Sequence, residues 1–233
     1  MNFRKEFTLP EGRVVISPLT VPLIEQTADL LASSFVTAVA ALAPYGAYVR
    51  RNIGRYLTEH QALPPKAVVL VAVLQPQEAA AAEGEGQGEA PPLLTAAEQE
   101  PLSGGPPASP TPAPPCALPR VIGTAELSFN PVTRSSQPFL DAPQKCAYMC
   151  NMAVLPAYRR KGVASNLLDA AEDVAAGIMQ ESEMYLHLRF VDADAAKLYE
   201  RSGFAPKAEH FPGVFLFGIQ RMKLMLKPLS ASR

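Results

Sequence analysis

The segment from Asn151 to Ser165, NMAVLPAYRRKGVAS, has residue types and spacing suited to binding phosphate groups. An apolar stretch leads into the turn Arg159-x-x-Gly162-x-Ala164. The small residues leave backbone N–H groups open, so a diphosphate can approach the main chain where a helix begins. The basic run Arg159–Lys161 adds positive charge beside the turn. The same short pattern also fits a basic turn that merely precedes an ordinary helix.

An amphipathic helix is predicted directly after this turn, from about Val163 to Ala176. Its apolar side chains recur at helical spacing and include Leu167, Leu168 and Ala171. Acidic side chains occupy the opposite face. The helix dipole would therefore direct its positive end at the turn, where it favours an anion.

The segment resembles motif A of the GNAT superfamily of N-acetyltransferases, written Q/R-x-x-G-x-G/A, whose turn holds the pyrophosphate of acetyl-CoA. The resemblance continues upstream through Asn151–Pro156 and downstream to LYERSGF at Leu198–Phe204. It covers Arg120–Leu226 and is greatest for the plant and algal plastid branch, whose members acetylate protein α-amino groups and some lysines. It implies acetyl-CoA as the cosubstrate and no metal.

By this resemblance, the strand before the turn is splayed from its neighbour and pairs with pantetheine, and the Val154 N–H polarises the thioester carbonyl. Many family members have Asn where this chain has Asp192, which puts that cofactor contact in doubt. The cofactor-binding positions implied are Met152, Ala153, Val154, Arg159, Arg160, Lys161, Gly162, Val163, Ala164, Ser165, Asp192 and Tyr199.

The resemblance also implies three catalytic side chains. Tyr199 would protonate the departing CoA thiolate, and a phenol of pKa ~10 does this for a thiol of pKa ~8.5 only when held close. Tyr148 and His187 would deprotonate the acceptor amine. A strand histidine or a half-buried helix tyrosine is also a common structural residue.

Strand alternation places Tyr148 on one face with Cys150, Met152 and Val154. The same rule places His187 with Tyr185 on the neighbouring strand. These faces are predicted from the period of two alone.

Composition limits the chain to one domain, or one domain with additions. Its 233 residues are 48% hydrophobic, with a net charge of −1 and a pI near 6.3, so no nucleic-acid partner is expected. No run of 18 apolar residues predicts a membrane span. Three cysteines fit neither a disulfide framework nor a zinc site.

The order of predicted elements indicates an α/β fold, namely the GNAT fold with a mixed central sheet and helices on both faces. We expect a tail at 1–12, the N-terminal part of the domain at 13–74, the acetyl-CoA-binding and catalytic part at 120–228, and a tail at 229–233. The first twelve residues show no pattern of a targeting segment.

Residues 75–119 differ from the rest, with 11 Pro, 5 Gly and no Lys, Arg or His in 45 residues. Such a composition cannot bury enough apolar surface to offset its ordering entropy, so a disordered insertion is predicted. The strands on either side, Lys66–Leu74 and Val121–Phe129, would pair across it.

The leading functional hypothesis is transfer of acetyl from acetyl-CoA to protein N-termini, and also to lysine side chains, by direct attack on the thioester. The alternatives are an acetyltransferase for a small amine, such as an arylalkylamine or polyamine, and a catalytically silent CoA-binding module. The resemblance implies the chloroplast stroma, with the cytoplasm as the alternative. The oligomeric state stays open.

Overall fold

The computed structural model describes residues 1–35, 43–76 and 119–230. The predicted insertion at 75–119 lies almost entirely outside these residues, as does the tail after residue 230. In chain order the main elements are β1 (Lys5–Leu9), β2 (Gly12–Pro18), α1 (Ile24–Phe35), α2 (Ala43–Gln61), β3 (Ala67–Pro76), β4 (Arg120–Ser128), β5 (Ala147–Val154), α3 (Val163–Glu172), β6 (Glu183–Arg189), α4 (Ala193–Arg201), β7 (Ala205–Glu209) and β8 (Met222–Pro228).

The strands form a single eight-stranded sheet in the order β1-β2-β3-β4-β5-β6-β8-β7. Every neighbouring pair is antiparallel except β5 and β6, which α3 connects as a parallel crossover. This mixed sheet confirms the predicted fold class.

Among the described residues, hydrophobic cores lie on both faces of the sheet. One contains α3 residues such as Leu167 and Leu168, packed against Leu70 and Ile122. The other packs α1 and α2 against the alternate strand residues, among them Val69 and Val71. Alternate residues of the buried strands therefore face opposite helical layers, as expected for a sheet covered on both faces.

The expected N-terminal tail contains β1, so that prediction is wrong for Lys5–Leu9. Every residue of β1 pairs with β2, from Lys5 opposite Ile16 to Leu9 opposite Gly12. Three of the five side chains are polar, which hides the strand signal in the sequence. The tertiary partner makes the strand, since Phe7 packs against the α3-side core and Leu9 is buried in it.

Gly123 allows the start of α3 to lie close to β4. A Cβ atom at Gly123 would lie 2.9 Å from Leu167 Cδ1 and 3.1 Å from Val163 Cγ1. Because Gly123 has no side chain, the start of α3 can pack this closely against β4. After Glu172, α3 continues as a π-helix at Asp173–Ile178. The helix predicted from Val163 to about Ala176 is therefore not a regular α-helix over its whole length.

No helix in the described part of the chain is long and apolar enough to cross a membrane.

Deleting residues 77–118 and joining β3 to β4 with a short Asn-Gly turn should preserve the fold. The two strands are already paired where they approach the deleted segment, with Leu74 opposite Arg120. A shorter closing loop costs less entropy, so the melting temperature should stay within about 4 °C of the parent's or rise. Circular dichroism melting checks this, and a much lower melting temperature would show that the segment supports the core.

Candidate active site

The central feature of the site is a gap between β5 and β6. The two strands pair only at Ala147 with Met184 and at Tyr148 with Tyr185. From Met149 onward no strand among the described residues pairs with β5 on this side, while β6 continues to pair with β8 as far as Arg189. The edge of β5 that faces β6 therefore has unpaired backbone groups, which can bind an extended ligand as a strand would.

A β-bulge at Asn151 corrects the predicted alternation of β5. The pairing with β4 shifts between Thr124 and Glu126, and Asn151 has a positive φ of 49°. An extra residue in a strand reverses the face of the residues after it. Tyr148 and Cys150 consequently share one face, whereas Met152 and Val154 pack in the core on the α3 side.

The Val154 backbone points into the gap. The next N–H, that of Leu155, donates to Ile122 O on β4 at 2.9 Å. Since successive residues of a strand direct their backbone groups to opposite sides, Val154 faces away from β4. Consistent with this, the Arg159 Nε donates to Val154 O at 3.1 Å, so Arg159 braces the strand end instead of extending into solvent.

The turn before α3 has the geometry of an anion cradle. Gly162 is left-handed, with φ of 83°, and Arg160 also has a positive φ of 62°. Within the described residues, the N–H groups from Arg160 to Ser165 have no hydrogen-bond partner, and the first helical bond is from Asn166 N to Gly162 O. These N–H groups at a helix start suit a diphosphate.

Lys161 is held beside the turn by an acidic partner. Its ammonium pairs with Glu11, from the turn between β1 and β2, and lies 5.3 Å from the centroid of the Tyr158 ring. The strand that the sequence does not reveal thus brings a carboxylate to the predicted phosphate site. An incoming phosphate would compete with Glu11 for the lysine.

Tyr199 lies across the gap from β5. Its hydroxyl donates to the Met152 sulfur at 3.6 Å, and its ring meets Phe204 edge-on at 5.7 Å. Burial, followed by the nearby charge of Asp192, raises the pKa of Tyr199 to about 12. The phenol therefore stays protonated at neutral pH and can donate a proton.

Tyr148 and His187 form a directed hydrogen-bond pair. The His187 Nε2–H donates to Leu140 O at 2.6 Å, so in the neutral ring Nδ1 accepts from the Tyr148 hydroxyl at 2.8 Å. Burial lowers the pKa of His187 and raises that of Tyr148. The imidazole is consequently neutral at neutral pH, and the phenol oxygen keeps lone pairs for a further donor.

Asp192 does not occupy the position of a free cofactor ligand. Its carboxylate makes a two-pronged ion pair with Arg189, at 2.6 Å to Nε and 2.7 Å to NH2. Asp192 stands at the start of α4, yet its side chain makes no capping hydrogen bond there.

The sequence reveals the aromatic segment Phe211–Phe217 but not its cluster with Phe139, which lies on the loop before β5. Phe139, Phe211 and Phe217 have ring centroids 5.9 to 6.2 Å apart and remain 69%, 45% and 64% exposed. His210 anchors the two loops to each other by donating to Pro138 O at 2.8 Å. Phe139 directly precedes Leu140, whose carbonyl holds His187.

A second feature absent from the sequence predictions is a buried polar network around Glu126. It joins Tyr56 and His60 of α2 to Asn151 of β5. Sequence separations of 25 to 70 residues conceal these contacts. Among the described residues, no three His, Cys, Asp or Glu side chains are grouped as a metal site would require.

Comparison with known proteins is consistent with this geometry. The model of the acetyltransferase (GNAT) family matches residues 112–204. The chain is 26% identical over 222 residues to GCN5-related N-acetyltransferase 5, chloroplastic, of Arabidopsis thaliana, covering 95% of this chain and 60% of that one. It is 34% identical over 82 residues to an N-alpha-acetyltransferase of Saccharolobus solfataricus, covering 35% of this chain and 48% of that one.

Among solved structures, the fold is similar to that of spermidine N-acetyltransferase from Vibrio cholerae in complex with CoA and spermine. The TM-score is 0.51 at 16% identity, over 94% of this chain and 96% of that one. The chain thus spans about half to three-fifths of its two sequence relatives and nearly all of this structural one.

Gly162→Val should weaken CoA binding by about tenfold or more, a loss of ~1.4 kcal/mol or more of binding free energy. A branched side chain strains the positive φ at this position and covers the N–H groups. Isothermal titration calorimetry measures the affinity. Gly218→Val is the matched control, because Gly218 is also left-handed, with φ of 71°, but lies away from the turn. Equal CoA affinity in the Gly162 variant and the parent would place the phosphates elsewhere.

Proposed function

We propose that the chain is an acetyltransferase of the GNAT family, whose model matches residues 112–204, and that it transfers acetyl from acetyl-CoA to the α-amino group of protein N-termini, with lysine side chains as secondary acceptors. The observation that carries this proposal is the hydrogen-bonded Tyr148–His187 pair on the two strands that part to form the gap. We further infer that the protein acts in the chloroplast stroma, in line with its chloroplastic relative.

In this proposal, the turn around Gly162 binds the pyrophosphate and the free edge of β5 binds the pantetheine arm. The thioester carbonyl then accepts from the Val154 N–H, which faces the gap. A fixed donor at this place stabilises the negative charge that develops on the oxygen during attack. Met152 and Ala153 contribute backbone to the same edge.

The proton path follows from the two tyrosines. The acceptor ammonium gives a proton to the Tyr148 oxygen as the phenol proton passes to His187 Nδ1, which converts the imidazole to imidazolium. The free amine attacks the carbonyl carbon, and the C–S bond breaks as Tyr199 protonates the thiolate. The second proton lost by the acceptor nitrogen then returns Tyr199 to a phenol. An α-ammonium of pKa ~7.7–8.0 suits this weak base better than a lysine ammonium of pKa ~10.4.

The aromatic cluster supports a peptide acceptor over a polyamine. The segment Phe211–Phe217 contains no acidic residue, and its exposed side chains are apolar. A polycation needs carboxylates around it, whereas the first side chain of a peptide can be apolar. The Vibrio cholerae protein bound to spermine nevertheless makes a polyamine the second candidate acceptor.

A mixed acceptor panel tests the proposed function. It contains a peptide with a free α-amine and an internal lysine, the same peptide with a blocked α-amine, and spermidine. With acetyl-CoA, mass spectrometry should find fastest acetylation of the free α-amine. Faster acetylation of spermidine would contradict the acceptor, and no acetylation of any amine would contradict the enzyme.

His187→Ala should lower kcat for an N-terminal peptide by ~10²-fold at pH 7. The loss should shrink as pH rises past the amine pKa of ~8, because free amine then forms without a base. In the parent, the lowered pKa of His187 keeps the ring neutral, so the acid limb of kcat should lie below pH ~6.5. Steady-state kinetics from pH 6 to 9 give both profiles.

Tyr199→Phe provides the contrast for this pH series. It should lower kcat without recovery at high pH, because protonation of the thiolate becomes no easier there. Full activity of the His187 variant from pH 6.5 to 9 would show that the histidine only packs.

Phe217→Ser should lower kcat/KM by about tenfold for peptides with an apolar first side chain. It should leave the CoA affinity unchanged, because the aromatic cluster lies outside the phosphate turn. Val132→Ser is the matched control, since Val132 lies between β4 and β5, is 83% exposed and is not part of the cluster. Equal effects of the two variants would argue against acceptor binding at the aromatic rings.

A further inference from the structure

The Glu126 carboxylate is fully buried yet has three hydrogen-bond donors. Oε1 accepts from the Tyr56 hydroxyl at 2.8 Å and from His60 Nδ1 at 2.5 Å. Oε2 accepts from Asn151 Nδ2 at 2.8 Å. Glu126 is 0% exposed, so each donor offsets part of its desolvation. The acetyl-transfer steps proposed above leave this network without a role.

Asn151 connects the network to the strand that forms the gap. Its Nδ2 group also donates to the Tyr56 oxygen at 3.2 Å, so both hydrogens of the amide are used. The Asn151 backbone has φ of 49°, a region that Asn tolerates better than most residues with a side chain. Two side chains from separate elements therefore hold one residue in an uncommon conformation.

This conformation decides which way the rest of β5 faces. Cys150 lies opposite Glu126, and Ala153 lies opposite Thr124. β5 therefore advances by three residues over the same length in which β4 advances by two. Without the extra residue, the backbone of Val154 would turn toward β4 and Met152 would leave Tyr199. The bulge thus orients the Val154 N–H, which is the proposed donor to the thioester carbonyl, and the Met152 side chain, which contacts Tyr199.

We propose that Glu126 is a positioning residue for acetyl transfer, which it serves by fixing the Asn151 bulge that directs the Val154 N–H into the gap. Tyr56 and His60 hold the carboxylate in place, with their rings stacked at 3.8 Å between centroids. This inference rests on the proposed function. It adds that α2, remote from the cofactor turn, controls the alignment of the thioester.

Glu126→Gln tests the inference because it keeps the shape but turns an acceptor into a donor. The amide of the variant has a single oxygen, so it cannot accept from Asn151 Nδ2 on one side and from Tyr56 and His60 on the other at the same time. A misplacement of about 1 Å costs up to ~10²-fold in rate, so kcat should fall by roughly tenfold to a hundredfold. The KM for acetyl-CoA should change less than about threefold, since the phosphate turn is untouched.

The double variant Glu126→Gln/Asn151→Asp restores a donor–acceptor pair with the polarity reversed and the same net charge. It should recover most of the lost kcat. Thr27→Val is the matched control, because Thr27 is buried in α1 and its hydroxyl donates to Leu23 O at 2.8 Å outside the network. Its kcat should stay at the parent value even if its melting temperature falls.

The results distinguish a failure of the proposed acetyl transfer from a failure of the positioning role of Glu126. If the parent acetylates none of the amines in the panel, the proposed function fails. If the parent is active and Glu126→Gln keeps the parent kcat, the positioning role fails alone. A kcat for the double variant no higher than that of Glu126→Gln would also overturn it.

A second pair of variants covers the case in which Glu126→Gln does not fold. Asn151→Gly and Asn151→Ala both lose the contact with Glu126, but only glycine adopts a positive φ without strain. Asn151→Gly should therefore retain the higher kcat at similar KM for acetyl-CoA. Equal kcat values for the two variants would contradict control of catalysis by the bulge.

Discussion

The site depends on the early separation of β5 from β6. Two parallel residue pairs join β5 to β6, and beyond them the two strands no longer pair. β6 still pairs with β8 along its whole length. An unpaired strand edge inside a sheet is costly unless a ligand or water satisfies its backbone groups. This edge suits an extended ligand, and it lies between the helix start at Val163 and the Tyr148–His187 pair.

The two faces of the sheet contribute different chemistry to that gap. The α3 face supplies the proposed phosphate turn, next to the helix start that Gly123 lets approach β4, and the core in which Met152 and Val154 pack. The α1–α2 face supplies the buried Glu126 network that meets β5 at Asn151. The bulge reverses the side-chain alternation of β5, so Met152 and Val154 after it pack on the α3 face.

The sequence predicts the parts of the site that depend on local pattern. Gly162 and the helix behind it follow from spacing, and Tyr148 and His187 come together because Tyr148 pairs with Tyr185, two residues before His187. A period of two cannot reveal the left-handed Asn151, so the faces of Met152 and Val154 were predicted wrongly. Contacts between distant segments, such as Glu126 with His60, or Phe139 with Phe217, have no local signal.

In the proposed mechanism, acetyl-CoA lies in the gap with its thioester carbonyl on the Val154 N–H. Amide NMR of ¹⁵N-labelled protein tests it most directly, by comparing titrations with CoA, which lacks the carbonyl, and acetyl-CoA. The amides of Gly162 and Val163 should shift similarly with both ligands, whereas the Val154 amide should move further downfield with acetyl-CoA, as a new hydrogen bond requires. Identical Val154 shifts with the two ligands, alongside clear shifts at Gly162, would contradict the account.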